Sequence, residues 1–322
     1  MTFLPFHHLV TRRLGMYRSG GKGAWLFLPT SSSARSRPGR LRPFHAAFST
    51  SAGAQHSEEE NEDHESSLAR AGISAFKRAV LARHSTKAFD AKREIADETL
   101  AAILALTLRC PTSFNVQPYT VTIVQSEDTK QKLAACMLGP NSARVLQAPV
   151  TAVFAADLDP VQLVPRVQSL ERRKRGLPEA YLATLPFSVA FLAGKGHLAH
   201  AFKDLFTTAM SPLQPMPSVS TLEAWSYKNT AIAASWYMLA CSVHGLDTCP
   251  MEGFDGRRIM HELHIPASRY AIPLVVSTGF AMPLPSSSPE RNKEAKRSPR
   301  FPPEAVVFKD QYGHAYKGIS QL

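Results

Sequence analysis

The chain has 322 residues, 44% of them hydrophobic, and a formal net charge of +11. It can bury a sizeable core, as one large domain or two ordinary ones. The charge is unevenly placed: residues 1–57 carry eight Arg and Lys and no acid, which leaves +3 for the rest and argues against a nucleic-acid partner.

The first fifty residues are rich in Arg, Ser, Leu and Phe. Arg12 and Arg13 lie among Phe3, Leu4, Leu9, Val10 and Leu14, a basic amphipathic pattern, and Arg42 to Ser51 looks like a processing region. This composition predicts an organelle transit peptide over 1–50, for the mitochondrion or, as the alternative, a plastid-type organelle. The acidic run Glu58 to Glu65 predicts a solvated, disordered linker over 51–72. One folded domain is expected over 73–322.

That domain opens with an amphipathic helix, with Ile73, Phe76, Ala79 and Val80 on one face, ending near Arg83. Asp97 reads as the N-cap of a second helix carrying Leu100, Ile103, Leu104 and Leu108, which must stop before Pro111. A polar loop runs to Pro118, and Tyr119 to Gln125 alternates as a strand. Ser126 caps a helix carrying Leu133 and Met137. A short helix around Asn141 to Leu146 and a buried strand from Val150 to Ala156 follow. Residues 158–220 are the least regular; Arg172 to Arg175 reads as a solvated helix face and Phe187 to Ala193 as a core helix. A long helix runs from Thr221 to Gly245 and is apolar nearly all round, which predicts burial. A helix (Gly256 to Leu263), a strand (Ala271 to Ser277) and a short strand (Val306 to Phe308) complete an α+β chain with one central sheet between helical layers.

The four cysteines, Cys110, Cys136, Cys241 and Cys249, form no CxxC pair and no Cys/His ligand spacing. They read as buried reduced thiols, and no metal site is predicted. No apolar run has the length of a membrane span, so no stable membrane insertion is expected. Gly194-Lys195-Gly196 lacks P-loop spacing, and His261 and His264 are not an HExxH pair. No Ser/His/Asp or Cys/His nucleophile constellation stands out.

Arg83, Ser85 and Lys87 sit at alternate positions of Arg83-His84-Ser85-Thr86-Lys87-Ala88-Phe89-Asp90. Alternation after a helix end points one set of side chains the same way. A guanidinium fork, a hydroxyl and an ammonium together suit a polyanionic ligand such as a phosphorylated cofactor. Taken alone, a solvated basic turn is the simpler reading. Two further stretches shift the balance: Cys110-Pro111-Thr112-Ser113-Phe114-Asn115-Val116-Gln117-Pro118 and Cys249-Pro250-Met251-Glu252-Gly253-Phe254-Asp255.

In this order the three stretches resemble the nitroreductase family of FMN-dependent oxidoreductases, over about residues 74–310. The similarity is to oxygen-insensitive NAD(P)H nitroreductases of bacteria and mitochondrial type I enzymes of some unicellular eukaryotes. The resemblance implies a nitroreductase-like fold with a mostly antiparallel sheet, an intertwined homodimer with the long helix at its core, bound FMN and NAD(P)H as co-substrate. It puts Arg83 and Ser85 at the FMN phosphate with a C-terminal basic cluster, Lys296, Arg297 and Arg300, and His84 among the cofactor-binding residues. Ser298 stands where the family has a basic residue. Lys87 and Asn141 fall at the pyrimidine edge. The backbone of Glu252 and Gly253 faces N5, and Pro250 and Met251 pack on one ring face. Pro111, Thr112, Ser113 and Asn115 reach the flavin from the partner subunit. Arg144 (Lys in the family), Trp225 and Lys228 fall near the substrate channel, and residues 158–220 set substrate choice.

The implied reaction is a ping-pong, two-electron (hydride) transfer from NAD(P)H to a nitroaromatic or a quinone. The flavin carries the chemistry, so no catalytic side chain is assigned. The alternatives are an NADH:quinone reductase with incidental nitro reduction, a non-catalytic flavin-binding protein of the same fold, and another branch such as the deiodinases or flavin-cleaving enzymes.

Overall fold

The computed structural model describes residues 70–283 and 298–320. The predicted transit segment and most of the predicted linker lie outside them. Helix α1 covers residues 70–82, so residues 70–72, which the sequence assigned to the linker, are helical. After it come α2 (Asp97–Thr107), β1 (Tyr119–Val124), α3 (Glu127–Ala134), α4 (Asn141–Gln147) and β2 (Val150–Asp157). The middle of the chain holds α5 (Val164–Arg175), α6 (Glu179–Leu182), α7 (Leu185–Ala193) and α8 (His197–Met210). Then follow α9 (Leu222–Val243), β3 (Asp247–Met251), α10 (Gly256–Glu262) and β4 (Tyr270–Gly279).

The four strands form one sheet in the order β1-β2-β4-β3, with every pairing antiparallel. Every residue of β2 is buried, as its near-continuous apolar sequence requires of a strand covered on both faces. Strand alternation divides its side chains. Val153 and Ala155 join Leu133, Val145 and Ile259 on one face, while Val150, Ala152 and Phe154 join Ile103 and Tyr237 on the other. A third apolar cluster joins α5 and α7 to Val116 and Trp225.

Helix α9 spans the second face. The Thr221 hydroxyl accepts from Ala224 N–H at 3.2 Å, and Gly245, at φ 72°, ends the segment in the left-handed region. Tyr237 packs its ring edge on Phe154, centroids 5.7 Å apart, and its hydroxyl lies 2.9 Å from Thr278 Oγ1. At the far end of β2 the buried Asp157 carboxylate takes both Nε and a terminal nitrogen of Arg269, the latter at 2.7 Å. Ser226 of α9 donates to the Asp157 carbonyl at 2.7 Å, which ties helix and sheet together.

Several expectations need correction. Asp97 is the first helical residue and Ala96, with no side-chain cap bond, holds the N-cap; an acid in the first turn still complements the helix dipole. Cys249 to Met251, to which the sequence assigned no element, is an edge strand; an edge tolerates Pro250, which has no N–H to donate. Met137 lies beyond the end of α3. Val306 to Phe308 forms no strand, only a single bridge from Phe308 to Ala315. Within one chain α9 is not buried all round, since Ala231, Ser235, Trp236 and Val243 are exposed. The apolar face of α1 is likewise open, Ala79 being buried while Ile73, Phe76 and Val80 are not.

Tyr237→Ala is expected to lower the unfolding free energy by about 3–5 kcal/mol, read from urea midpoints. Burial pushes the Cys241 thiol up from 9.0 to about 12 and lifts the Tyr237 hydroxyl well above its ordinary range. Unfolding restores ordinary acidity, so the unfolded chain loses these protons first as pH rises. Stability is therefore fully present below about pH 9 and is expected to fall between pH 9 and 12. A urea midpoint that stayed flat over that window would contradict this.

Candidate functional site

The cationic segment after α1 is held against the sheet edge by its backbone. Ser85 bridges Thr248 in parallel, and Thr86 N–H donates to Thr248 O at 3.0 Å. Further on, Asp90 N–H donates to Phe280 O at 2.8 Å, and Phe89 N–H to Gln147 Oε1 at 3.2 Å. Thr86 and Phe89 are buried, while Lys87 is exposed and Arg83, His84 and Ser85 are half-buried. His84 staples the turn. Its Nδ1 lies 3.1 Å from Ala82 O, which can only accept, so Nδ1 carries a proton, and Nε2 lies 3.2 Å from the Thr86 hydroxyl.

Helix α4 forms the second wall. Asn141, Arg144 and Gln147 recur every three residues and so share one side. Asn141 Nδ2 donates to Gly253 O at 3.0 Å, and Arg144 donates to Asn141 Oδ1. Leu138 N–H also donates to Gly253 O, at 2.9 Å. A Cβ built on Gly253 would lie 2.9 Å from Asn141 Nδ2, so a side chain here would push the Asn141 amide aside. Arg144 Nε is buried without a hydrogen-bond partner among the described residues. Cys249 lies within the fields of both Lys87 and Arg144; burial pushes its thiol up and the two cations pull it down. Arg83, Lys87 and Arg144 have no carboxylate within ion-pair distance among the described residues.

The 110–118 stretch forms a separate structure. Ser113 to Asn115 make a 3₁₀ turn, and Phe114, Asn115 and Gln117 have φ of 54°, 54° and 52°. Left-handed backbone at non-glycine residues costs about 1–3 kcal/mol each and persists only when the surroundings enforce it. Asn229 Oδ1 of α9 accepts from Ser113 N–H at 2.8 Å, and Thr112 Oγ1 accepts from Gln117 N–H at 3.0 Å. Asn115 Nδ2 donates to Glu171 Oε1 of α5 at 2.7 Å. A cleft of about 470 Å³ adjoins this turn, lined by Arg109, Pro111, Asn115, Glu171, Arg175 and Tyr181 among others.

The structure therefore places the segment Arg83, His84, Ser85 and Lys87 along the β3 edge at Thr248, joins Asn141 and Arg144 to Gly253, beside Glu252, and sets Lys87 and Arg144 both near Cys249. It sets Pro111, Thr112, Ser113 and Asn115 apart, with no hydrogen bond joining the two groups among the described residues. They adjoin β3 and β1, the two edges of the sheet, three strand spacings or ~14 Å apart. Met251 points into the apolar core, because it shares a strand face with Cys249, while Pro250 is half-buried. Trp225 is buried and packs with Val116, Val164 and Leu185, while Lys228, one turn on, is exposed. Arg300 is exposed and donates to Ser298 O and Pro299 O beside it. Arg297 lies outside the described residues. Gln147, Glu171 and Asn229 escape the sequence reading; the only signal available was a polar residue on a helix face that turns out buried.

This architecture is an α+β fold with one four-stranded antiparallel sheet between helical layers, the nitroreductase-like fold. The sequence model of the Nitroreductase family matches residues 80–280, and the chain belongs to that family. A Staphylococcus haemolyticus protein provisionally named NAD(P)H nitroreductase is 24% identical over 229 residues, covering 70% of this chain and 92% of that protein. A Thermus thermophilus protein named NADH dehydrogenase is 28% identical over 238 residues, covering 72% and 94%. Among solved structures, a provisionally named Bacillus subtilis nitroreductase superposes with a TM-score of 0.58 at 20% identity, covering 74% of this chain and 99% of its own. Another, from Exiguobacterium sibiricum and solved in complex with FMN, gives 0.52 at 20% identity, covering 69% and 97%. At these identities the structural likeness establishes the fold.

All four cysteines are free and buried. Ellman's reagent is expected to titrate none of them within minutes in the native protein and all four in denaturant. Rapid labelling of Cys249 in the native state would mean that the cradle opens more than its packing implies.

Proposed function

We propose that the protein is an FMN-dependent oxidoreductase that takes two electrons from NAD(P)H and passes them to a nitroaromatic or a quinone. One observation carries the reading: among the described residues three cations, Arg83, Lys87 and Arg144, have no carboxylate partner, Lys87 and Arg144 both act on Cys249, and Arg144 is tied through Asn141 to the Gly253 carbonyl. A buried guanidinium N–H with no partner among the described residues fits an oxygen-rich, anionic ligand. When bound, FMN supplies the two-electron redox chemistry.

The residues divide the work by their chemistry. Arg83 and Ser85 hold the phosphate, with Arg300 and Arg297 as further contributors. Lys87 and Arg144 give fixed positive charge at the ring edge where negative charge accumulates, and preorganised charge of this kind lowers the cost of that change. Asn141 orients Arg144 and holds the Gly253 carbonyl, which leaves the 252–253 backbone free to approach the ring. No side chain is required as a nucleophile. The names of the Staphylococcus and Thermus relatives support a reduced nicotinamide donor, and the FMN in the Exiguobacterium structure supports the cofactor.

The working unit in this reading is a homodimer, in which Pro111 to Asn115 of one subunit complete the cradle of the other. The exposed apolar faces of α1 and α9, Ile73, Phe76 and Val80 with Trp236 and Val243, support this. Residues 1–50 are proposed as a mitochondrial targeting segment, on their basic, acid-free composition.

Purified full-length protein is expected to be yellow and to bleach when NADH is added without oxygen; kcat/KM for a quinone and a nitroaromatic then ranks the acceptors. Arg83→Ala and Lys87→Ala are each expected to weaken FMN binding about tenfold or more, the scale of a lost charge-assisted hydrogen bond. Gly253→Ala should do the same by displacing Asn141. A preparation that stays colourless with added FMN defeats the proposal, and yellow protein that NADH does not bleach reduces it to flavin binding.

A further inference from the structure

The 112–117 turn holds three non-glycine residues in the left-handed region within four positions, which no local preference of Phe or Gln explains. Something outside the turn must impose the shape. The Asn229 contact reaches only the Ser113 amide, and the Thr112–Gln117 bond lies within the turn. Val116 and Phe114 also pack against the third apolar cluster, but the remaining hydrogen bond from outside among the described residues is to Glu171, whose Oε1 accepts from Asn115 Nδ2 at 2.7 Å, in the middle of the left-handed run. Asn115 Oδ1 in turn accepts from Gln117 Nε2 at 3.2 Å, so the tie passes on to the third left-handed residue.

The burial of Glu171 is the decisive feature. Its side chain is 3% exposed, and its other oxygen takes Arg175 at 3.2 Å, an arginine whose own side chain is 63% exposed. Water would satisfy Arg175 there, so a buried carboxylate is not needed for its sake. Burying a carboxylate is costly unless it is hydrogen-bonded, and the half-buried Asn115 amide is its partner on the protein's inner side.

We propose that Glu171 is a positioning residue that acts through Asn115 to hold the 112–117 turn in its left-handed form. The turn is thereby preset, before assembly, to meet the FMN held by a second subunit. This rests on the flavin reading above, but the clamp itself does not. It also assigns a task to α5, which lies in the least regular part of the sequence.

Two measurements separate the proposals. Amide hydrogen exchange over 112–117, on full-length protein without added FMN, reads the clamp directly. Glu171→Ala is expected to speed exchange there about tenfold while β2 keeps its protection, and Glu171→Gln, which retains an acceptor, is expected to restore it. In an Asn115→Ala background, Glu171→Ala should add nothing, the signature of a shared interaction. FMN titration of the same variants should show binding about tenfold weaker for Glu171→Ala and near normal for Glu171→Gln. Unchanged exchange in Glu171→Ala, or an equal increment in the Asn115→Ala background, overturns the clamp. Exchange that follows the expectation in a protein that binds no FMN keeps the clamp and removes the flavin reading.

Discussion

The geometry of the cationic cradle depends on a short backbone pairing at the sheet edge. Thr86 joins Thr248 of β3, and Asp90 joins the chain just beyond β4 through Phe280. This extension covers an edge that would otherwise present unpaired amides. It also fixes the orientation of the segment: Thr86 is buried against the sheet edge while Ser85 is half-buried and Lys87 exposed, and a bend at Lys87 then turns Phe89 inward. A slip of one residue would carry the Lys87 ammonium to the buried position of Thr86, so register here is enforced by the cost of burying charge.

The second constraint is close approach. Gly253, Asn141 and Arg144 form a relay from a backbone carbonyl through an amide to a guanidinium, and a methyl group on the glycine would displace the amide. Helix α4 has only seven residues, yet it carries Asn141 and Arg144 and also Gln147, which takes the Phe89 amide. One rigid turn therefore sets the distance between the cationic segment and the loop after β3. Cys249 beneath it is kept as an unreactive thiol by burial, despite two neighbouring cations.

The 112–117 turn follows a different logic. Its shape costs free energy and is maintained from outside, by Asn229 of the long central helix and Glu171 of α5. Strain held in this way commonly marks a segment whose geometry matters for binding. Its separation from the cradle, at the opposite edge of the sheet, fits the reading in which two chains share each cofactor.

Local sequence determined a good deal. The alternation of Tyr119 to Val124, the apolar run of β2, the Ser126 and Thr221 caps and the stop at Gly245 follow from periodicity and turn chemistry, which act over a few residues. The cationic segment at 83–87 and the glycine at 253 were picked out by the family resemblance, since taken alone the segment reads as a solvated basic turn. Tertiary structure decided the rest. Whether Cys249 to Met251 is a loop or a strand depends on β4 lying beside it, and a proline at that position becomes acceptable only at an edge. Trp225 and Met251 look like site residues in sequence and become core because of what packs against them. Glu171 and Asn229 look like ordinary helix residues until the fold carries the 112–117 turn to them. Pattern and propensity encode contacts between near neighbours, whereas a buried carboxylate is explained only by the distant amide that it meets.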